Sequence, residues 1–177
     1  ATDENWPNAT ELLLPPDHYL YRMHYSQGVA LDDLCVPSKA GMPATDPRKA
    51  WWTFAANTHL FRGTPSSMWL GHVFSEVFGF EVALAASTAD LYYDRINEKL
   101  ASDAFKPRAL FDRFGIEFLA TTEGPQDDLS PHHAIHNSGW KGRVVTTYRP
   151  DSVIDVEHEQ FAGAMRTFAD LTGEDVW

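Results

Sequence analysis

Arg149 stands where a predicted strand ends, and its side chain could hold a carboxylate or a phosphate. The β-branched residues that run from Val144 to Thr147 favour a strand, and Pro150 prevents the hydrogen-bond ladder from continuing. A guanidinium group at the carboxyl end of a strand can grip such an anion through two parallel hydrogen bonds. The residues alone support an ion pair between Arg149 and the nearby Asp151 equally well.

A second group, Asp17-His18-Tyr19, stands at the start of a predicted helix. An imidazole there faces the positive end of the helix dipole, which favours its neutral form. The phenol of Tyr19 could stabilise an oxyanion or transfer a proton. The spacing alone favours the simpler interpretation, in which Asp17 caps the helix and the other two side chains are solvated.

A polar cluster follows the other predicted strand and could contact a polar substrate or support the groups that do. Its members are Thr121, Thr122, Glu123, Asp127 and Asp128. Helix capping is the simpler role for the two aspartates, because a carboxylate readily accepts hydrogen bonds from the free N–H groups at a helix start.

His132 and His136 are four residues apart, a spacing that places two side chains on one helix face and could hold a metal. No third ligand is suggested nearby. A helix that follows a strand would lie on the outside of a β/α barrel, so we interpret this pair as part of a solvated face.

The elements that must position these residues differ along the chain. Up to about residue 106 the pattern predicts a cluster of helices, and from Pro107 a short helix leads into two strand–loop–helix units. We therefore predict a mainly α fold, with a helical domain at 1–106 and a partial β/α region at 107–177.

Several helices are predicted with definite ends or faces. One runs from His18 to Gly28, a second from Asp46-Pro47 to Gly63, and a third from Thr64-Pro65 to Gly79 with burial on several sides. A capping box at 87–90 starts the fourth, and the last begins near Glu157 and buries Phe161, Ala164, Phe168 and Leu171. Residues 31–45 read as a loop.

Composition narrows the functional classes. The formal net charge of −11 disfavours nucleic acids and anionic membranes, although a small acid could still bind to a focused arginine. Cys35 is the only cysteine, which excludes an internal disulfide and suggests a cytoplasmic location. The high aromatic content, 13%, suggests burial against something larger.

Five segments in order resemble uronate isomerases of the amidohydrolase superfamily. They are Pro-Asp-His-Tyr-x-x-Arg at 16–22 with Tyr-Ser-Gln-Gly-Val at 25–29, His-Leu-Phe-Arg-Gly-Thr-Pro at 59–65, Arg-Ala-Leu-Phe-Asp-Arg-Phe at 108–114, Leu-Ala-Thr-Thr-Glu-Gly-Pro at 119–125, and Tyr-Arg-Pro-Asp at 148–151. The resemblance implies a distorted (β/α)8 barrel with a helical domain inserted after the first strand, of which this chain would be the insert and two strand–helix units.

The resemblance also implies a reaction and roles. Uronate isomerases interconvert aldo- and ketohexuronates, such as D-glucuronate with D-fructuronate or D-galacturonate with D-tagaturonate, by proton transfer through an enediol. Arg149 would bind the substrate carboxylate. His18 and Tyr19 match the family's His-Tyr pair, which binds the sugar and assists proton transfer.

The chain departs from the family widely: it has no His-x-His metal pair, and we expect it also to lack the family's aspartate and arginine of late barrel strands and most of the barrel. We therefore expect an internal fragment that is inactive alone, with a divalent metal, zinc by expectation, in the parent enzyme and none bound by these residues. Expected partners are the hexuronate and the remainder of the barrel, with a homo-oligomer allowed, but no nucleic acid or membrane. The alternatives are a non-enzymatic helical module for interaction or oligomerisation and another amidohydrolase-type hydrolase.

Overall fold

The structure, a computed structural model, describes residues 3–37, 41 and 45–175. Contacts divide the chain into two compact units, one formed by Glu4–Ala109 and the other mainly by residues from Leu110 onward. The predicted domain boundary after residue 106 stays a prediction. Most elements are helices, as predicted, and the described strands form one parallel pair. No helix in these described ranges is both long and apolar enough to cross a membrane.

The first unit, which we call the helical unit, is built from short helices. They are α1 (Ala9–Leu13), α2 (His18–Ser26), α3 (Pro47–Ala56), α4 (Pro65–His72), α5 (Ala89–Leu100) and the start of α6 (Pro107–Arg113). Side chains of Asp17, Asp46 and Thr64 accept hydrogen bonds from N–H groups of the first turns of α2, α3 and α4, as the cap patterns predict. Helix α1, whose start is capped by Asn8, was not predicted from the sequence.

The core of the helical unit is aromatic. Trp51 is 0% exposed, and its indole N–H donates to the carbonyl of Ala89 at 2.9 Å. Tyr92 stacks on Phe80 with ring centroids 3.6 Å apart. His24 is also 0% exposed and lies against the rings of Phe54 and Phe61. Side chains of α2, α3 and α5 therefore meet in one aromatic core.

The second predicted helix ends earlier than expected. α3 stops at Ala56, and a 3-10 turn, Thr58–Phe61, follows in place of a helix that reaches Gly63. The Asn57 amide donates to the Thr53 carbonyl, and the Thr58 hydroxyl donates to the Ala55 carbonyl. Such side-chain bonds compete with the helical backbone bonds, which explains the early end.

The third predicted helix has one buried face rather than several. α4 continues into a π-helical turn, Val73–Val77, and the buried side chains are Leu70, Phe74 and Phe78. Met68 is 77% exposed and Trp69 is 48% exposed in this unit. The expectation of burial on several sides is wrong because these three buried residues, spaced by four, form a single stripe.

The capping box predicted at 87–90 is also wrong. α5 begins at Ala89, after a 3-10 turn, and its N-cap residue Thr88 makes no capping bond to it. The Thr88 hydroxyl instead accepts from the N–H of Ala85 and donates to the carbonyl of Ala83, at 2.9 Å each. The hydroxyl therefore closes the preceding turn and is not available to the helix.

Residues 31–37, 41 and 45 of the predicted 31–45 loop are described; 38–40 and 42–44 lie outside the described residues. A 3-10 turn, Asp32–Leu34, ends at Cys35, whose φ of 56° is left-handed. Cys35 is 7% exposed, and its thiol donates to the carbonyl of Thr45 at 3.2 Å.

The second unit, which we call the strand unit, contains a parallel pair of strands, as predicted. β1 (Leu119–Glu123) pairs with β2 (Val144–Tyr148), so that Thr121 lies opposite Thr146 and Thr122 opposite Thr147. The ladder extends one step further, because the N–H of Arg149 donates to the carbonyl of Glu123 at 2.8 Å. Both strands therefore end at the same edge of the sheet.

Helices follow each strand of this unit. They are α7 (Ser130–Asn137), α8 (Asp151–Ile154) and α9 (Phe161–Thr172). The last helix begins at Phe161 rather than near Glu157, because the separate helix α8 and a turn precede it. Of its expected core residues, Ala164 is buried and Leu171 is 61% exposed, so the predicted burial of Leu171 is wrong within this unit.

Candidate functional site

His18 and Tyr19 lie together on the surface of the helical unit, at the first two positions of α2. The Asp17 carboxylate accepts the Tyr19 backbone N–H at 2.9 Å, which fixes the start of the helix. The two rings lie side by side, with centroids 4.2 Å apart and an angle of 33° between their planes. The phenol of Tyr19, whose residue is 66% exposed, and the His18 imidazole can therefore meet one external molecule.

Arg149 lies at the carboxyl end of β2, as the sequence predicts. Its Nε donates to the Asp151 carboxylate at 3.0 Å, and both side chains are exposed. That hydrogen bond lowers the pKa of Asp151, with the positive charge of Arg149 adding to the shift. Within the described residues, the side chain of Arg149 makes no other hydrogen bond. The ion pair with Asp151 is present, and it leaves the two terminal nitrogens for an anion.

Thr121, Glu123 and His132 form a cluster on β1 that was not predicted from the sequence. The Nε2 atom of His132 lies 2.8 Å from the Thr121 hydroxyl and 3.5 Å from a carboxylate oxygen of Glu123. The His132 and Glu123 side chains are only 20% and 15% exposed. The prediction of a solvated face at His132 is therefore wrong, because α7 turns this side chain back onto the strand.

Alternation along β1 was the available signal for this cluster. Thr121 and Glu123 are two residues apart and so share one face of the strand, and a helix that follows the strand must cover one of its faces. The rotation of α7 about its own axis decides which of its polar side chains contacts Thr121 and Glu123. The spacing of residues along the sequence does not reveal this rotation.

The two aspartates of the polar cluster accept hydrogen bonds from nearby backbone N–H groups, and only Asp128 reaches the start of α7. Asp127 accepts the N–H of Gly124 at 2.7 Å, and Asp128 accepts the N–H of Ser130 at 2.8 Å. Hydrogen bonds from the hydroxyl and the N–H of Ser130 lower the pKa of Asp128. Asp128 therefore satisfies one N–H at the start of α7, although the N-cap position itself is Leu129. Asp127 closes the loop after β1 instead, so the predicted helix-capping role is wrong for Asp127.

His132 and His136 do not form a metal centre. His132 is bonded to Thr121, whereas His136 is exposed. No group of three or more His, Cys, Asp or Glu side chains suited to a metal ion occurs in the described ranges 3–37, 41 and 45–175. The residues described thus do not fit a bound divalent ion.

A cavity of about 660 Å³ also lies in the helical unit, with His59, Arg62 and Glu81 among the residues that line it. His18 and Tyr19 are not among its lining residues. The structure thus places the predicted residues on open surfaces, His18 with Tyr19 in one unit and Arg149 in the other. Their roles in substrate binding and catalysis stay predictions.

A family model described as glucuronate isomerase matches residues 1–177. Among curated proteins, the uronate isomerase of Phenylobacterium zucineum is 67% identical over 176 residues, which are 99% of this chain and 37% of that protein. The uronate isomerase of Caulobacter vibrioides is 62% identical over 177 residues, 100% of this chain and 36% of that protein. The chain thus spans little more than a third of these relatives.

Solved structures give the same match. The crystal structure of glucuronate isomerase from Caulobacter crescentus superposes with a TM-score of 0.95 at 61% identity, covering 98% of this chain and 36% of that one. The structure of uronate isomerase from Thermotoga maritima superposes with a TM-score of 0.85 at 21% identity, covering 97% of this chain and 36% of that one. At that lower identity the likeness concerns the fold alone.

Proposed function

The chain belongs to the glucuronate isomerase family, and from this premise we propose that it forms part of an enzyme that interconverts aldo- and ketohexuronates. The candidate substrate pairs are D-glucuronate with D-fructuronate and D-galacturonate with D-tagaturonate. The match of all 177 residues to the family, at 62–67% identity to curated uronate isomerases, is the observation that carries this proposal.

We propose that the strand unit is two strand–helix units of a (β/α)8 barrel and that the helical unit is an insert in it. Parallel pairing of β1 with β2, with a helix after each strand, supports this architecture. The remainder of the barrel would then be the main partner of this chain. A cytoplasmic location, supported by the single cysteine, and a homo-oligomer are further proposals.

The chemistry needs proton transfer but no net redox change. A base removes the proton from C2 of the aldose, the aldehyde oxygen at C1 gains a proton, and an enediol forms. A proton then returns to C1, and the hydroxyl at C2 loses its proton as the ketone forms. Charge develops on oxygen during each step, so donors placed near that oxygen lower the barrier.

Three residues of this chain would serve that reaction. We propose that Arg149 binds the substrate carboxylate through its terminal guanidinium nitrogens, which leaves the aldehyde end of the sugar for the reacting groups. Tyr19 would donate its phenolic proton towards the oxygen that gains charge, and His18 would accept or return a proton beside it. The ring contact between His18 and Tyr19 supports their acting together.

A divalent metal, expected to be zinc, remains a proposal for the full-length enzyme. Bound metal would polarise oxygens of the sugar. Because the described residues do not offer three suitable ligands together, we propose that residues of the full-length enzyme outside this chain hold the metal. We also propose that the 177 residues alone do not turn over hexuronates, since they correspond to about 36% of the matched enzymes.

A chimera tests the proposal directly. These 177 residues would replace the matching stretch of the Caulobacter vibrioides protein, and kinetics would be measured with D-glucuronate. Arg149→Met should raise KM about tenfold to a hundredfold, because a hydrogen bond to a charged group is lost. Arg143→Met is the matched control, since Arg143 lies just before the opposite end of β2 and is also exposed. An inactive chimera, or equal kinetics for both variants, would contradict the assignment.

Tyr19 is tested in the same chimera. Tyr19→Phe should lower kcat by about a hundredfold, because proton transfer by a positioned side chain contributes at least that much. The control is Tyr25→Phe, since Tyr25 lies in the last turn of the same helix and is similarly exposed at 62%. A change confined to KM in Tyr19→Phe would argue against a role in proton transfer.

A further inference from the structure

The two faces of the strand pair differ in what covers them. Thr121 and Glu123 both meet His132 of α7, so this helix lies on the face to which those side chains point. Directly opposed residues of a parallel pair point to the same side, so Thr146 of β2 belongs to the helix-covered face as well. On the other face, Ala120, Thr122 and Thr147 are exposed, so the described helices leave these positions uncovered, and we call it the free face.

Thr122 and Thr147 lie side by side on that free face. They lie opposite each other in the register of β1 and β2. Each directly follows a residue of the helix-covered face, Thr121 or Thr146, and side chains alternate between the two faces along a strand. Both are exposed. Within the described part of the chain neither hydroxyl has a hydrogen-bond partner, whereas the Thr121 hydroxyl contacts both His132 and the carbonyl of Val145.

Arg149 continues the same face. The ladder remains regular up to its N–H, which bonds to Glu123, so the alternation that puts Thr147 on the free face also puts Arg149 there, two residues later. Two residues of strand rise about 6.6 Å, and neighbouring strands lie about 4.8 Å apart. Two free hydroxyls and a guanidinium group thus lie within the length of one small sugar acid.

We propose that the hydroxyls of Thr122 and Thr147 bind the sugar hydroxyls nearest to the carboxylate that Arg149 holds. The inference rests on the proposed function, since it is the barrel interior that the free face of such a pair would line. A hydroxyl can donate to one sugar oxygen and accept from another, so these two threonines suit a polyhydroxy acid better than a simple carboxylate.

The chimera with the Caulobacter vibrioides protein tests this assignment with D-glucuronate. Thr122→Val and Thr147→Val keep the shape of the side chain and remove the hydroxyl, so each should lower kcat/KM about threefold to tenfold, mainly through KM. Thr147→Ser, which keeps a hydroxyl, should retain most of the activity. Thr146→Val is the matched control, since Thr146 is exposed on the same strand but belongs to the other face, and it should change kcat/KM less than twofold.

The outcomes separate this inference from the function on which it rests. An active chimera in which Thr122→Val or Thr147→Val changes kcat/KM less than twofold overturns the assignment of that threonine and leaves the isomerase proposal intact. An equal loss in Thr146→Val and Thr147→Val overturns it too, because a general effect on the strand would explain both. A chimera that does not isomerise the uronate overturns both proposals.

Discussion

The buried histidine of the helical unit should make its stability depend on pH. His24 is 0% exposed, and its Nδ1 donates to the carbonyl of Leu20 at 2.9 Å. Burial between Phe54 and Phe61 lowers the pKa of His24, with a smaller contribution from His59, although the nearby carbonyls oppose the shift. The folded unit therefore keeps this imidazole neutral where an unfolded chain would protonate it.

The sign and size of the effect follow from linkage. Because the folded pKa is the lower one, the contribution of His24 is fully present above about pH 6.5, the unfolded value, and is lost as the pH falls below it. A single group can change the free energy of unfolding by at most about 1.4 kcal/mol per pH unit. Between about pH 7.5 and about pH 5.5, His24 should thus remove up to about 1.4 kcal/mol.

Urea unfolding of the 177-residue chain, measured at about pH 7.5 and about pH 5.5, checks this prediction. His24→Gln should remove the extra loss at the lower pH, because the variant has no group to protonate at this place. His72→Gln is the control, since His72 is exposed in the same unit and should leave the pH dependence as it is. If the chain and His24→Gln lose equal stability on acidification, the buried imidazole does not govern the response.

Two further predictions concern packing and are also measured by urea unfolding. Trp51→Phe should cost about 1–3 kcal/mol, because the hydrogen bond from the indole to the Ala89 carbonyl is lost and the smaller ring leaves a gap at a position that is 0% exposed. A loss below about 0.5 kcal/mol would show that the core closes around the smaller ring and that the indole hydrogen bond adds little. Gly142→Ala should cost about 1–3 kcal/mol, because a β-carbon there would collide with the Trp140 ring. Gly163→Ala is the control, because an added β-carbon there has no neighbour within 4 Å, and it should not lower the free energy of unfolding. Equal losses in the two glycine variants would refute the predicted collision at Gly142.

Local signals account for the parts of the fold that the sequence predicts well. Asp17, Asp46 and Thr64 each carry a side chain that satisfies N–H groups within three residues, so the starts of α2, α3 and α4 are readable from short patterns. The β-branched run of β2 is similarly local. The end of α3 is harder, because Asn57 and Thr58 turn towards carbonyls of the preceding turn.

The candidate site also has one part that local sequence predicts and one part that only the structure reveals. The position of Arg149 at a strand end follows from Pro150 and the residues before it, so it could be predicted. The contact of His132 with Thr121 and Glu123 depends on how α7 rotates against the strand, which no short pattern encodes. That rotation also decides which threonines face the helix, so the free face of the strand pair became visible only with the structure.

The burial of Cys35 makes opening of the helical unit chemically measurable. Burial raises the pKa of this thiol, as do the negative charges of Asp46 and Glu11, and a thiol reacts with disulfide reagents through its thiolate form. Reagent will therefore modify mainly those molecules in which the turn before Cys35 has come apart. The labelling rate of the folded chain, divided by the rate of an unfolded peptide that contains the same cysteine, gives the equilibrium constant for opening. The logarithm of that constant gives the free energy of opening. Since the chain has one cysteine, the signal reports on a single place without any engineered label.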